Sequence, residues 1–120
     1  MMKITVCDDS LMSRKSVIRA LPEHWSDEVT QCKHGLEAME ACRSGLADVL
    51  FLDLTMPIMD GLEVLERLQK EQLTSAVIVI SADFQPEVQS KALSLGALAF
   101  ISKPVSREKL TDTLIQVGLL

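Results

Sequence analysis

Val49-Leu50-Phe51-Leu52 is an unbroken apolar run that stops at Asp53. A strand buried on both faces reads this way, as a short continuous apolar stretch rather than an alternating one. Three more stretches share its grammar. Ile4-Thr5-Val6-Cys7 stops at Asp8-Asp9, Ala76-Val77-Ile78-Val79-Ile80 stops at Ser81, and Leu98-Ala99-Phe100-Ile101-Ser102 stops at Lys103-Pro104. If these are parallel strands, their carboxyl ends share one sheet edge, where open α/β folds bind ligands.

The intervening segments supply crossovers. The patterning predicts strands near 3–8, 28–32, 48–53, 76–81 and 98–102, with helices near 11–21, 36–44, 62–72, 86–95 and 106–117. Such βα alternation builds a parallel sheet with helices on both faces. Pro22 closes the first helix, Gly45 the second and Gly96 the fourth, while Pro86 suits a first helical turn. Leu62, Val64, Leu65 and Leu68 give the third helix an apolar side, set against Glu63, Glu66, Arg67 and Lys70.

At 120 residues and 48% hydrophobic content the chain suits one domain, residues 1–120, with one sizeable core. A net charge of -5 argues against general attraction to nucleic acid or anionic lipid. No apolar run approaches the roughly twenty residues a membrane span requires. Met1-Met2-Lys3 leads directly into a strand and reaches Asp8-Asp9 before a signal-peptide core could develop, so a cytoplasmic location is expected. Cys7, Cys32 and Cys42 have no CxxC spacing and lie in apolar contexts, as buried reduced thiols do; Cys7 and Cys32 could meet if their strands pair. Trp25, Phe51, Phe84 and Phe100 are too few for a base-stacking platform. His24 and His34 fall in predicted loops without metal-ligand spacing, and no role is expected of either.

The strand-end carboxylates carry the chemistry. Asp8-Asp9 alone could be turn formers or a helix cap. Asp53 at the end of a fully apolar strand is different, because a buried carboxylate is costly unless paired, metal-bound or at the strand tip. Clustered carboxylates suit Mg2+, which takes oxygen ligands and keeps several waters. Two carboxylates about 4 Å apart repel by roughly 4 kcal/mol at an effective dielectric near 20, so a phosphoryl group needs a cation beside them. Lys103 offers a compact charge and Ser81 a hydroxyl for its oxygens.

The ordered set Asp8-Asp9, Leu52-Asp53-Leu54-Thr55-Met56-Pro57 with Met59-Asp60-Gly61, Ser81-Ala82 and Lys103-Pro104 resembles the receiver domain of two-component response regulators over essentially the whole chain. The layout is similar to that of the family's single-domain chemotaxis members. The resemblance implies a flavodoxin-like (βα)5 sandwich with strand order 2-1-3-4-5, whose switch point brings Asp8-Asp9 beside Asp53. It implies Asp53 as phosphoacceptor from a histidine kinase phosphohistidine, and Asp9, Asp53 and the Thr55 carbonyl as direct Mg2+ ligands. Asp8 would hold the metal through water and Lys103 would bind phosphate. The N–H groups of Leu54 and Ala82 would complete the oxygen cage, with Gly61 letting the backbone turn after Asp60.

Ser81 and Phe100 resemble the switch pair, and Thr55 and Asp83 the variable positions that set phosphoryl lifetime. The helix 4, strand 5 and helix 5 face would be the output surface. Kinase pairing would sit on helix 1 around Met12, Ser13 and Ser16 and on the loop after strand 5. Phenylalanine at position 100, lacking a phenolic hydroxyl, would restrict partner contact there to apolar groups. The implied partners are a sensor kinase or phosphotransfer protein, and a downstream target or a missing effector domain. The receiver would catalyse only its own phosphorylation and dephosphorylation, as a monomer or a weak phosphorylation-dependent dimer. Two rivals stand beside it. A haloacid-dehalogenase-like phosphatase also uses a strand-end Asp with Mg2+, but it needs a second Asp where this chain has Thr55. A degenerate receiver acting as a constitutive interaction module is at odds with the intact Asp8, Asp9, Asp53, Ser81 and Lys103 set.

Overall fold

The computed structural model describes residues 2–120. Strands and helices alternate as β1 (Ile4–Cys7), α1 (Leu11–Ala20), β2 (Val29–Cys32), α2 (Gly35–Arg43), β3 (Val49–Leu52), α3 (Gly61–Lys70), β4 (Ala76–Ser81), α4 (Pro86–Ser94), β5 (Ala99–Ser102) and α5 (Arg107–Gln116). The five strands form one parallel sheet in the order β2-β1-β3-β4-β5, as the family resemblance implies. Observed ends lie within one or two residues of the expected ones. Four of the strands are shorter, because Lys3, Asp8, Glu28, Asp48, Asp53 and Leu98 fall just outside them, while β4 keeps its expected bounds, and α2 and α3 begin one residue earlier, at Gly35 and Gly61.

Alternation of side chains across the pleat divides the apolar residues into two layers. On one face Cys7, Leu50, Leu52, Val77 and Val79 pack beneath Ala38, Met39, Val64, Leu65, Leu68 and Ala92 of α2, α3 and α4. On the other, Ile4, Val6, Val49, Phe51, Ile78, Ile80 and Ile101 lie beneath Val17, Ala20, Leu110 and Leu114 of α1 and α5. β1, β3 and β4 are therefore covered on both sides, which accounts for their unbroken apolar sequences.

Helix punctuation follows local chemistry. Ser10, Asp60 and Ser106 cap α1, α3 and α5 by accepting from the N–H groups of Ser13, Glu63 and Lys109. His34 caps α2: its Nδ1 accepts from Glu37 N–H at 3.4 Å. The expectation that His34 has no role is corrected to this extent: its Nδ1 supplies the acceptor a helix N-terminus lacks. His24 is exposed in the α1–β2 loop, as expected. Pro86 occupies the first turn of α4. Among the described residues no helix is long and apolar enough to cross a membrane.

Candidate functional site

The site residues stand one position beyond the strands, each held by the last rung of the ladder. Asp8 N–H donates to the Cys32 carbonyl at 3.0 Å, Asp53 N–H to the Cys7 carbonyl at 3.0 Å, and Lys103 N–H to the Ser81 carbonyl at 2.9 Å. The sheet thus fixes the backbone of all three while freeing their side chains to point past the strand ends. The Lys103–Pro104 peptide is cis.

Asp8, Asp9 and Asp53 each offer a carboxylate oxygen, and these oxygens all lie within 4.8 Å of one another. Asp8 and Asp53 are buried while Asp9 is exposed. Lys103 Nζ reaches across to donate to Asp8 Oδ2 at 2.8 Å and stands 3.8 Å from Asp53 Oδ1. It also donates to Ser13 Oγ at 3.3 Å. Asp8 Oδ1 accepts from Ser10 N–H at 2.9 Å, which ties the acid to the start of α1.

Asp53 titrates well above the ordinary carboxylate range, pushed up to about 6, chiefly by burial and then by the charge of Asp8. Lys103 and a hydrogen bond from the Leu54 N–H act in the opposite direction but do not cancel the shift. Without a further cation the pocket has more negative charge than Lys103 can balance. Such a donor set fits a hard divalent ion, because buried, clustered carboxylate oxygens are what that ion requires.

Gly61 corrects one expectation. Its backbone is ordinary helix at the first position of α3, so no turn demands glycine. What demands it is proximity: a Cβ there would lie 2.5 Å from the Asp53 carbonyl oxygen and 2.8 Å from Leu54 Cα, and Gly61 N–H donates to the Leu54 carbonyl at 2.9 Å. A Gly61→Ala variant is expected to lose about 1–3 kcal/mol of stability, although alanine favours a helix interior by up to about 1 kcal/mol. The clash involves two backbone atoms that cannot swing aside. Urea unfolding checks the loss.

The remaining expected residues occupy the rim. Ser81 is buried at the end of β4, and its Oγ accepts from Asp83 N–H at 3.1 Å. Thr55, Ala82 and Asp83 are exposed. Phe100, the register partner of Val79 on β4, is half-buried against the α2–α4 layer. Residues without a strand-end signal complete the site. Arg14, nearly buried on α1, donates Nη1 to the Asp8 carbonyl at 2.8 Å and Nε to Gln31 Oε1 at 2.9 Å, locking α1 and β2 to the acid-bearing loop. A basic residue inside α1 reads as an ordinary surface charge, and only the fold turns it inward.

Residues 4–115 match the response regulator receiver domain family. The chain belongs to that family. The receiver is 31% identical over 114 residues to a chemotaxis protein CheY of Listeria monocytogenes, covering 95% of this chain and 96% of that protein. It is 38% identical over 105 residues to protein-glutamate methylesterase/protein-glutamine glutaminase 3 of Rhodospirillum rubrum, spanning 87% of this chain and 28% of that protein. Among solved structures, CheY in the CheX-CheY-BeF3-Mg complex of Borrelia burgdorferi superposes with a TM-score of 0.87 at 26% identity, covering 99% of this chain and 90% of that one. The signal receiver domain of the putative regulator NarL from Mycobacterium tuberculosis gives 0.83 at 31% identity, covering 96% and 94%. Membership makes phosphorelay signal transduction the process this receiver serves, and the phosphatase alternative is not favoured.

Proposed function

We propose that the receiver takes a phosphoryl group from a phosphohistidine donor onto Asp53, with Mg2+ bound among Asp8, Asp9, Asp53 and the Thr55 carbonyl. The observation that supports this most directly is Lys103, whose ammonium lies between Asp8 and Asp53 inside a cluster of three carboxylates. Asp53 Oδ attacks the phosphorus, the histidine nitrogen leaves, and the product is an aspartyl phosphate. Lys103 and the N–H groups of Leu54 and Ala82 would hold phosphoryl oxygens, and Asp8 would help to hold the metal. The bound ion would neutralise the carboxylates and the incoming oxygens. Thr55 and Asp83, exposed at the rim, are suited to set how long the phosphoryl group lasts.

Two surfaces fit the partners. Met12, Ser13 and Ser16 of α1 face Lys103, Pro104 and Val105 across a groove of about 350 Å³. Met12 is 76% exposed at its rim, so a kinase or phosphotransfer helix docked there would reach the acids. On the opposite flank, Leu93, Leu98 and Ile115 are exposed apolar residues of the α4, β5 and α5 region. With half-buried Phe100 they form the surface through which phosphorylation, sensed by the buried Ser81 hydroxyl, is read by a target protein, in chemotaxis or a related response. This reading is of a cytoplasmic signalling domain that acts chemically only on itself and contacts neither nucleic acid nor membrane.

Incubation with a small acyl-phosphate donor, followed by intact mass and peptide mapping, tests the proposal. The expected result is one phosphoryl group on Asp53 with magnesium and none with chelator. Labelling elsewhere, or none in either condition, overturns it in favour of a constitutive interaction module. Sustained multiple-turnover release of phosphate would instead favour a phosphatase.

A further inference from the structure

Among the described residues the buried charged side chains are Asp8, Asp53 and Arg14. The two acids share Lys103 as their cation. Arg14 is bound instead by neutral acceptors, the Asp8 carbonyl at 2.8 Å and Gln31 Oε1 at 2.9 Å. A buried cation without a carboxylate partner carries a desolvation cost that an apolar side chain of similar size avoids, so filling space does not account for it.

The carbonyl that Arg14 holds belongs to the peptide joining Asp8 to Asp9. Asp8 is already fixed on its other sides: its N–H donates to the Cys32 carbonyl, and its carboxylate accepts from Ser10 N–H and Lys103 Nζ. Asp9 is exposed at the mouth of the site. Because a peptide is planar, an oxygen held at one end also sets the nitrogen and Cα of Asp9 at the other. The guanidinium suits this task because its rigid fork reaches two acceptors at once, one on the loop after β1 and one on β2, where Gln31 is the register partner of Val6.

We propose, resting on Asp8 and Asp9 as the metal holders named above, that Arg14 is a positioning residue for the divalent cation, presenting both carboxylates to one ion through the backbone rather than by contact. The sign of its effect separates position from charge. A cation beside a cation site repels the ion, so by Coulomb's law alone removing the guanidinium tightens metal binding. Positioning demands the reverse. A buried carbonyl deprived of its donor is costly and turns toward another partner, and loss of an outer partner of a metal ligand weakens affinity by about 10–100-fold.

Titration of the full chain with manganese(II), which carboxylates also hold, tests the proposal without any phosphoryl donor when the free ion is followed by electron paramagnetic resonance. The expected result is a site in the native chain that Arg14→Met binds about tenfold more weakly. Gln31→Leu keeps the guanidinium but removes one of its anchors, and Arg14→Lys keeps the charge but cannot span both acceptors; each should bind with intermediate affinity. Lys15→Met, which removes an exposed charge from the neighbouring position of α1, should bind at least as well as the native chain. Native or tighter binding by Arg14→Met overturns the positioning role alone and leaves the phosphoacceptor reading in place. A native chain that holds no manganese overturns it together with the metal assignment. A role confined to packing would lower the urea midpoint of Arg14→Met and leave the metal affinity of the folded chain untouched, which also counts against positioning. Should Arg14→Met fail to fold by circular dichroism, Gln31→Leu decides, since Gln31 is exposed, with native affinity overturning the proposal.

Discussion

Asp53→Asn is expected to raise stability at neutral pH by about 1–2 kcal/mol in the absence of metal, and to end phosphoryl uptake. The gain follows from where the native charge sits. Burial, and then Asp8, push the Asp53 carboxyl from an ordinary 3.8 up to about 6. Between those two values the folded chain binds a proton that the unfolded chain has released, so its stability falls as pH rises through that window. Above it the folded chain carries the full cost of an ionised, crowded carboxylate, at most about 3 kcal/mol and less after local relaxation. Asparagine keeps the shape without the charge. Its advantage should therefore be complete near pH 7 and gone near pH 4, a dependence that paired urea titrations across that range measure. Its amide nitrogen is no nucleophile toward phosphorus, so uptake from an acyl-phosphate donor should drop to background. A variant that is labelled like the native chain would remove Asp53 from the mechanism. Magnesium should raise the unfolding temperature of the native chain more than that of the variant, since a ligand stabilises only in proportion to its affinity for the folded state.

Lys103→Met should cost about 10²–10³ in the single-turnover rate of phosphoryl uptake. Lysine holds two of the three acids together, and it is the cation that opposes the upward shift of Asp53. Removing it leaves Asp8, with only 4% of its side chain exposed, without its counter-ion. Lys103→Arg should rescue poorly, because a planar fork does not reproduce a point charge that touches Asp8, Ser13 and Asp53 from one position. The stability effect runs opposite in sign to that of Asp53→Asn, with a loss concentrated above about pH 6, where Asp53 is ionised. A rate within a few-fold of native in Lys103→Met would show that metal and backbone donors suffice without it.

How much of this was legible in the sequence depended on whether the signal was local. Val49–Leu52 and Ala76–Ile80 could be read because burial on both faces leaves an unbroken apolar run. Asp8, Asp53 and Lys103 could be read because each ends such a run. The role of Gly61 was only half legible: glycine was marked, but its need comes from the Asp53 carbonyl packed against it, a contact made through folding. Arg14 and the capping imidazole of His34 carried no local mark at all. Arg14 becomes part of the site through Gln31 on the neighbouring strand, and His34 through a helix start that the periodicity put one residue too late.

The distance along the chain between Asp8 and Lys103 has a consequence for how the receiver comes into being. The acids come from the ends of β1 and β3, whereas their cation follows β5, ninety-five residues after Asp8. Contacts of such separation form late, because the chain must first close large loops. A polypeptide emerging amino end first would bring its three carboxylates together while Lys103 was still unsynthesised or undocked. In that interval the crowded acids are at their most repulsive, and the sheet edge along β3 has no β4 to cover it. Competence for phosphoryl chemistry therefore draws on both ends of the chain, since the acids gain their cation only when β5 and the Lys103 that follows it have joined the sheet.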